Sequence, residues 1–266
     1  MIRLIVNADD FGFTPDVNEG ILEAHRSGIL TATTLMANGE AFDDAVAMAK
    51  RNPSLDVGCH LTLIGGRSVL DPSRELPRSV PELLYALARR RIAVYEEFRA
   101  QMVKITNAGI VPTHLDTHKH THLAWPVLVA VVRIARDFGA RWVRRPFDFD
   151  RPKVGVPLAT RVANRAIHSQ RRYFHRVLAS AGVRSTDYFA GFQLTGRMGT
   201  AELLEVLEQL PDGVTELMCH PGYNRGDLAK APTRLKQSRE IELHALTSPE
   251  VMALVEKRGI QLSAYA

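Results

Sequence analysis

Four short polar clusters in this chain could do chemistry. Asn7-Ala-Asp-Asp-Phe-Gly12 places two adjacent carboxylates after an apolar run. Val57-Gly-Cys-His-Leu-Thr-Leu63 places one imidazole, His60, inside another. The stretch from His114 to His122 sets His or Asp at every second position, and Cys219-His-Pro-Gly-Tyr223 puts His220 late in the chain. Carboxylates and imidazoles bind divalent cations, and imidazole also exchanges protons near neutral pH.

Asp9 and Asp10 are costly to bury unless they are paired or hold a metal. One of them could instead cap the next helix, but Asp16 is better placed for that job. In a regular strand Asp9 and Asp10 point to opposite faces, so the chain must bend if both serve one site. Gly12 permits such a bend. Read as an extended strand, the 114–122 run projects His114, Asp116, His118, His120 and His122 from one face. Such a face is poor core material and reads as the lining of a polar cavity or metal site. The run spans roughly 26 Å if extended, whereas metal–nitrogen bonds are about 2.0–2.1 Å. One or two of its residues are therefore ligands, and the rest orient ligands or touch substrate. His114 and His120 read as hydrogen-bonded structural residues. His60 alone in an apolar strand reads as a satisfied core residue unless the other clusters join it. His25, His168, His175 and His244 read as surface or packing residues on helices. Cys59 and Cys219 lack CxxC spacing and read as buried thiols facing the helices.

The elements that must position these residues alternate. Apolar strand-length runs are expected at 3–8, 30–36, 55–63, 111–117, 141–145, 215–219 and 260–264. Helical periodicity is expected at 16–27, 41–50, 81–90, 94–108, 125–138, 202–209 and 249–257. This βαβα rhythm predicts a parallel sheet with helices outside it, and about seven strands favour an irregular (βα) TIM-like barrel. The absence of GxGxxG after the first strand counts against a dinucleotide fold. The four clusters fall at carboxyl ends of strands, where barrel loops converge on one opening. One domain over residues 1–266 is expected, with insertions at 65–81 and 146–182.

The 266 residues carry a net charge of +5. The basic excess gathers between Arg141 and Arg184. No nucleic-acid motif or aromatic interleaving accompanies it, so a solvated helix face, a subunit contact or an acidic-lipid surface is favoured over nucleic acid. No apolar run is long enough to span a membrane. The N-terminus enters a strand pattern without a leader, which predicts a cytoplasmic protein.

Together, the four motifs resemble the YdjC-like carbohydrate deacetylases, which include chitooligosaccharide deacetylases and hopanoid-biosynthesis-associated deacetylases. The resemblance covers nearly the whole chain, with the motifs in the same order. It implies an irregular barrel related to polysaccharide deacetylases, and one divalent ion, Mg2+ or Zn2+, held by Asp10, His60 and His118. It also implies Asp9 as general base and His220 as general acid or substrate contact, with an N-acetylated sugar as substrate. The resemblance also implies a homodimer. Asp116 and His122 are expected behind the ligands or in the sugar cleft. Arg145 is expected to meet sugar hydroxyls or a phosphate, or to be an ordinary surface residue. The competing readings are a metal-dependent hydrolase of another amide or a phosphoester, and a sugar-binding protein without catalysis.

Overall fold

The computed structural model describes residues 1–149 and 158–266. The eight strands are β1 (Ile2–Phe11), β2 (Ala32–Leu35), β3 (Asp56–Leu61), β4 (His114–Thr117), β5 (Trp142–Val143), β6 (Tyr188–Ala190), β7 (Gly213–Cys219) and β8 (Gln261–Leu262). All pairings between these strands are parallel, in the order β5-β4-β3-β2-β1-β7-β6. β8 lies against the first half of β1, beside the edge that β2 takes further along. β1 is buried along both faces from Leu4 to Phe11, the mark of a central strand in a sheet covered by helices.

The helices are α1 (Pro15–Ser27), α2 (Phe42–Arg51), α3 (Val80–Ala88), α4 (Val94–Asn107), α5 (Trp125–Phe138), α6 (Leu158–His168), α7 (Arg171–Ser180), α8 (Thr200–Glu208), α9 (Gly226–Lys230), α10 (Gln237–Leu246) and α11 (Pro249–Lys257). The apolar stripes of α1, α4 and α5 face the sheet. On α5, Val127, Val131 and Ile134 are fully buried at helical spacing, each worth roughly 1.5–3 kcal/mol of transfer. Gly139 stops that helix in the left-handed region at φ +72°. The cap of α1 is Thr14, whose hydroxyl accepts from the Val17 N–H, and not Asp16 as expected. The Asp16 carboxylate accepts from the N–H groups of Asp227 and Leu228 and so holds the start of α9.

The sheet is curled, and its two ends approach without forming a ladder. Asp148 and Phe189 make an isolated bridge between the segment after β5 and strand β6, and Trp142 bridges Arg184. A complete eight-fold (βα) barrel is not what these pairings define; the parallel sheet keeps a seam between β5 and β6. The stretch expected as an insertion at 65–81 forms the connection after β3 and the first two residues of α3. Glu97 anchors it by accepting from the Val69 and Leu70 N–H groups and the Ser68 hydroxyl. The insertion at 146–182 lies partly outside the described residues; within it, α6 and α7 are described.

Candidate active site

β1 ends in an irregularity that solves the problem of two adjacent carboxylates. Its register with β2 shifts between Ala8 and Phe11, and Asp10 adopts φ +70°. A non-glycine residue there costs roughly 1–2 kcal/mol. A bulge of this kind re-aims side chains. The turn is locked because the Gly12 N–H donates to Asn18 Oδ1 at 2.7 Å and the Phe13 N–H to the Asp10 carbonyl at 3.0 Å. The bend therefore begins at Asp10, with Gly12 at φ +92° completing it.

The run after β4 is not extended throughout. β4 stops at Thr117, and residues His118–Leu123 form short 3-10 turns with Lys119 and His120 both at positive φ. That reversal turns the chain after His118, which itself directly follows the end of β4. Asp10 Oδ1 lies 3.4 Å from His60 Nε2 and 3.2 Å from His118 Nδ1, and the two ring nitrogens are 3.2 Å apart. Asp10 Oδ1 is buried without a hydrogen-bond partner. Three donor atoms at these spacings fit one coordination sphere with bonds of about 2.0–2.2 Å. His118 is the partly exposed member, at 23%, and opens the site to solvent.

Two arginines hold the acids around this point. Arg239, from α10, donates to Asp10 Oδ2 at 2.5 Å, leaving Oδ1 to face the imidazoles. Arg144, just after β5, donates to both oxygens of Asp9 at 2.6–2.7 Å and also meets Asp116 at 2.6 Å and Glu216 at 2.5 Å. Asp9, His60 and Asp116 form a second group with metal-ligand spacing. The Arg144 guanidinium already serves both of its carboxylates, so the Asp10, His60 and His118 group fits a cation better. Asp9, Asp10, Asp116 and Glu216 outnumber Arg144 and Arg239 in this buried region, an imbalance that also favours a cation.

The same contacts set proton affinities. Burial alone would raise Asp9, but Arg144, with His60 and His220 behind it, holds its carboxyl well below the usual range. Asp10 is likewise lowered against burial by Arg239 and by the His118 and His60 imidazoles that face it. Burial would lower His60, yet Asp116, Asp10 and Asp9 raise it to about 10. The pocket around His60 thus favours positive charge. Asp116 Oδ1 takes His60 Nδ1 at 2.7 Å and turns Nε2 toward Asp10, the usual carboxylate–imidazole arrangement behind a ligand.

His220, after β7, places Nε2 3.9 Å from Asp9 Oδ2. Burial holds its imidazole down near about 4 against the pull of Asp9 and Asp10. Its backbone N–H donates to Glu242 Oε2 at 2.6 Å, and its Nδ1 is 3.9 Å from the same carboxylate. α10 therefore supplies Arg239 to Asp10 and, one turn on, Glu242 to His220.

The remaining residues singled out in the sequence lie elsewhere. His122 is fully buried, with Nδ1 2.5 Å from Thr117 Oγ1 and its ring 5.8 Å from Phe174. Arg145 points away from the site and donates to the carbonyls of Thr186 and Asp187. His114 bonds Asn7 Oδ1 at 2.9 Å and stacks on Tyr265, and His120 is buried near Phe189 and Phe192. Both cysteines are buried and free. Sequence reasoning missed Arg144, Arg239 and Glu242. The one available signal was an arginine at the end of the strand expected over 141–145, and it was assigned to the neighbouring Arg145.

Fold and site together define an α/β protein with a carboxylate–imidazole centre at the carboxyl end of a parallel sheet. The chain belongs to the YdjC-like protein family, whose profile matches residues 3–257. It is 34% identical to the carbohydrate deacetylase of Geobacillus stearothermophilus, covering 98% of this chain and 96% of that one. It is 33% identical to the carbohydrate deacetylase of Mus musculus, covering 99% and 94%. Among solved structures it is similar to a putative cellobiose-phosphate cleavage protein from Enterococcus faecalis V583. That match has a TM-score of 0.77 at 25% identity, covering 99% of this chain and 97% of that one.

Proposed function

We propose that this chain is a metal-dependent carbohydrate deacetylase that hydrolyses the N-acetyl group of an N-acetylated sugar. The observation that carries the reading is the convergence of Asp10 Oδ1, His60 Nε2 and His118 Nδ1 beside the clamped carboxylate of Asp9. The names of the full-length relatives support the substrate class. The same reading takes the curled sheet as an irregular (βα) barrel with its seam between β5 and β6.

Asp10, His60 and His118 would hold one divalent ion. Two imidazoles and one carboxylate suit Zn2+ better than Mg2+. When bound, such an ion supplies a Lewis acid for the acetyl carbonyl and the attacking water. The protein's own residues do the rest. Asp9 is ionised near neutral pH, the state a proton acceptor needs, and Arg144 fixes both of its oxygens. His220 rests neutral with Nε2 3.9 Å away, so a proton taken from water at Asp9 passes to His220 Nε2. His220 then delivers it to the departing amine as the carbon–nitrogen bond breaks. Asp116 keeps His60 in one ring orientation throughout.

The test is acetate release from N-acetylglucosamine oligosaccharides by the purified, zinc-loaded chain, alongside a phosphoester panel. Acetate release that falls roughly 10²–10⁴-fold in Asp9→Asn, with metal content retained, is the expected result. Phosphoester turnover without acetate release would replace this reading with the other hydrolase.

A further inference from the structure

The catalytic reading leaves the basic segment unused. From Arg151 to Thr186 the chain has eight Lys or Arg residues and no Asp or Glu. The whole chain carries +5, so everything outside this stretch sums to −3. The protein's net positive charge is therefore carried by one segment.

The described part of that segment is two-sided. Phe174 and Leu178 of α7 are buried, and Phe174 packs on Phe147 and His122. The outer surfaces of α6 and α7 carry exposed Arg165, Arg172 and Arg176, while Arg171 lines a small cavity with Arg145 and His168. No ion pair joins these arginines to a carboxylate among the described residues. Val162 on α6 is 61% exposed and Tyr173 on α7 is 38% exposed, so apolar groups stand among the cations.

The place of this surface in the fold is informative. α6 packs beside the Phe192–Leu194 turn after β6, and α7 lies against the turns after β4 through Phe174 and His122. Both turns follow carboxyl ends of strands, so the basic pair borders the opening of the site. Its cations are spread over two helices, each on the order of 15 Å long. That spread does not converge on one phosphate group. It fits a planar field of negative charge in which exposed Tyr and Val can enter the headgroup layer. We infer that the outer faces of α6 and α7 dock this chain on an anionic lipid bilayer.

The inference does not depend on the reaction catalysed. Sedimentation with vesicles of phosphatidylcholine containing about one-third phosphatidylglycerol, and with pure phosphatidylcholine, tests it. Binding is expected to the anionic vesicles only, and to be lost at about 1 M salt. The variant Arg165→Gln/Arg172→Gln/Arg176→Gln removes three cations worth about fivefold each, so its partitioning should fall about 100-fold. Acetate release from a soluble oligosaccharide should stay at the parent rate, which also shows that the variant folds. The control Arg51→Gln/Arg136→Gln/Lys257→Gln removes equal charge at the far helix ends, ahead of β3, β5 and β8, and should bind as the parent does. Equal binding to neutral vesicles, equal loss in the control, or duplex DNA bound more tightly than the anionic vesicles would each overturn the inference.

Discussion

The carboxyl end of the sheet and the α6–α7 segment handle charge in opposite ways. Around β1, β3 and β4 the charged groups are buried, and most are fixed by several partners. Arg144 alone meets Asp9, Asp116 and Glu216. On α6 and α7, Arg165, Arg172 and Arg176 stand in solvent without carboxylate partners among the described residues. Buried charge survives only in complete networks, because removing one member leaves the others uncompensated. Exposed charge can be changed with little effect on the fold. Adjacent Arg144 and Arg145 mark the boundary: the first enters the network, the second leaves it for the backbone of Thr186 and Asp187.

The largest break in this contrast should come from Arg144→Met. It strands three buried carboxylates and should cost about 3–5 kcal/mol in urea unfolding. A loss no larger than that of an exposed arginine variant would show that the network is not over-determined.

Next in size is a pH effect at Glu242. Burial pushes its carboxyl up to about 7, against the pull of the His220 N–H and Arg239. The folded chain keeps a proton there that the unfolded chain releases near the ordinary carboxyl value. The stability this contributes is full below that value and is lost as pH rises through about 7, by up to about 3 kcal/mol. Glu242→Gln should flatten that stretch of the stability curve. An unchanged slope would place the titration elsewhere.

Smaller still is the effect of Asp116→Asn. The amide retains the shape beside His60 but loses the charge, and metal affinity should fall about 10–100-fold in calorimetric titration. Affinity equal to the parent's would confine Asp116 to packing.

These residues also show what could be read from the sequence and what could not. The strand and helix rhythm was legible because buried strands are long apolar runs and α5 has a regular apolar stripe. β6 was not, since Tyr188–Ala190 is too short to show a period. α10 hid for a different reason. It buries Arg239 and Glu242 beside Leu243 and Leu246 and exposes Ile241 at 46%, which blurs the pattern that periodicity detects. The 114–122 run misled in geometry: alternation suggested a continuous strand, but two left-handed residues turn it after His118. Asp10, His60 and His118 were reached through a resemblance of motifs, whereas the arginines that hold the acids come from single positions without any motif.

Metal titration by calorimetry, on the parent chain and on His118→Ala, tests the central claim most directly. One zinc ion per parent chain and none in the variant, with both proteins folded, is the predicted result. A variant that still binds one ion as tightly as the parent would contradict the account.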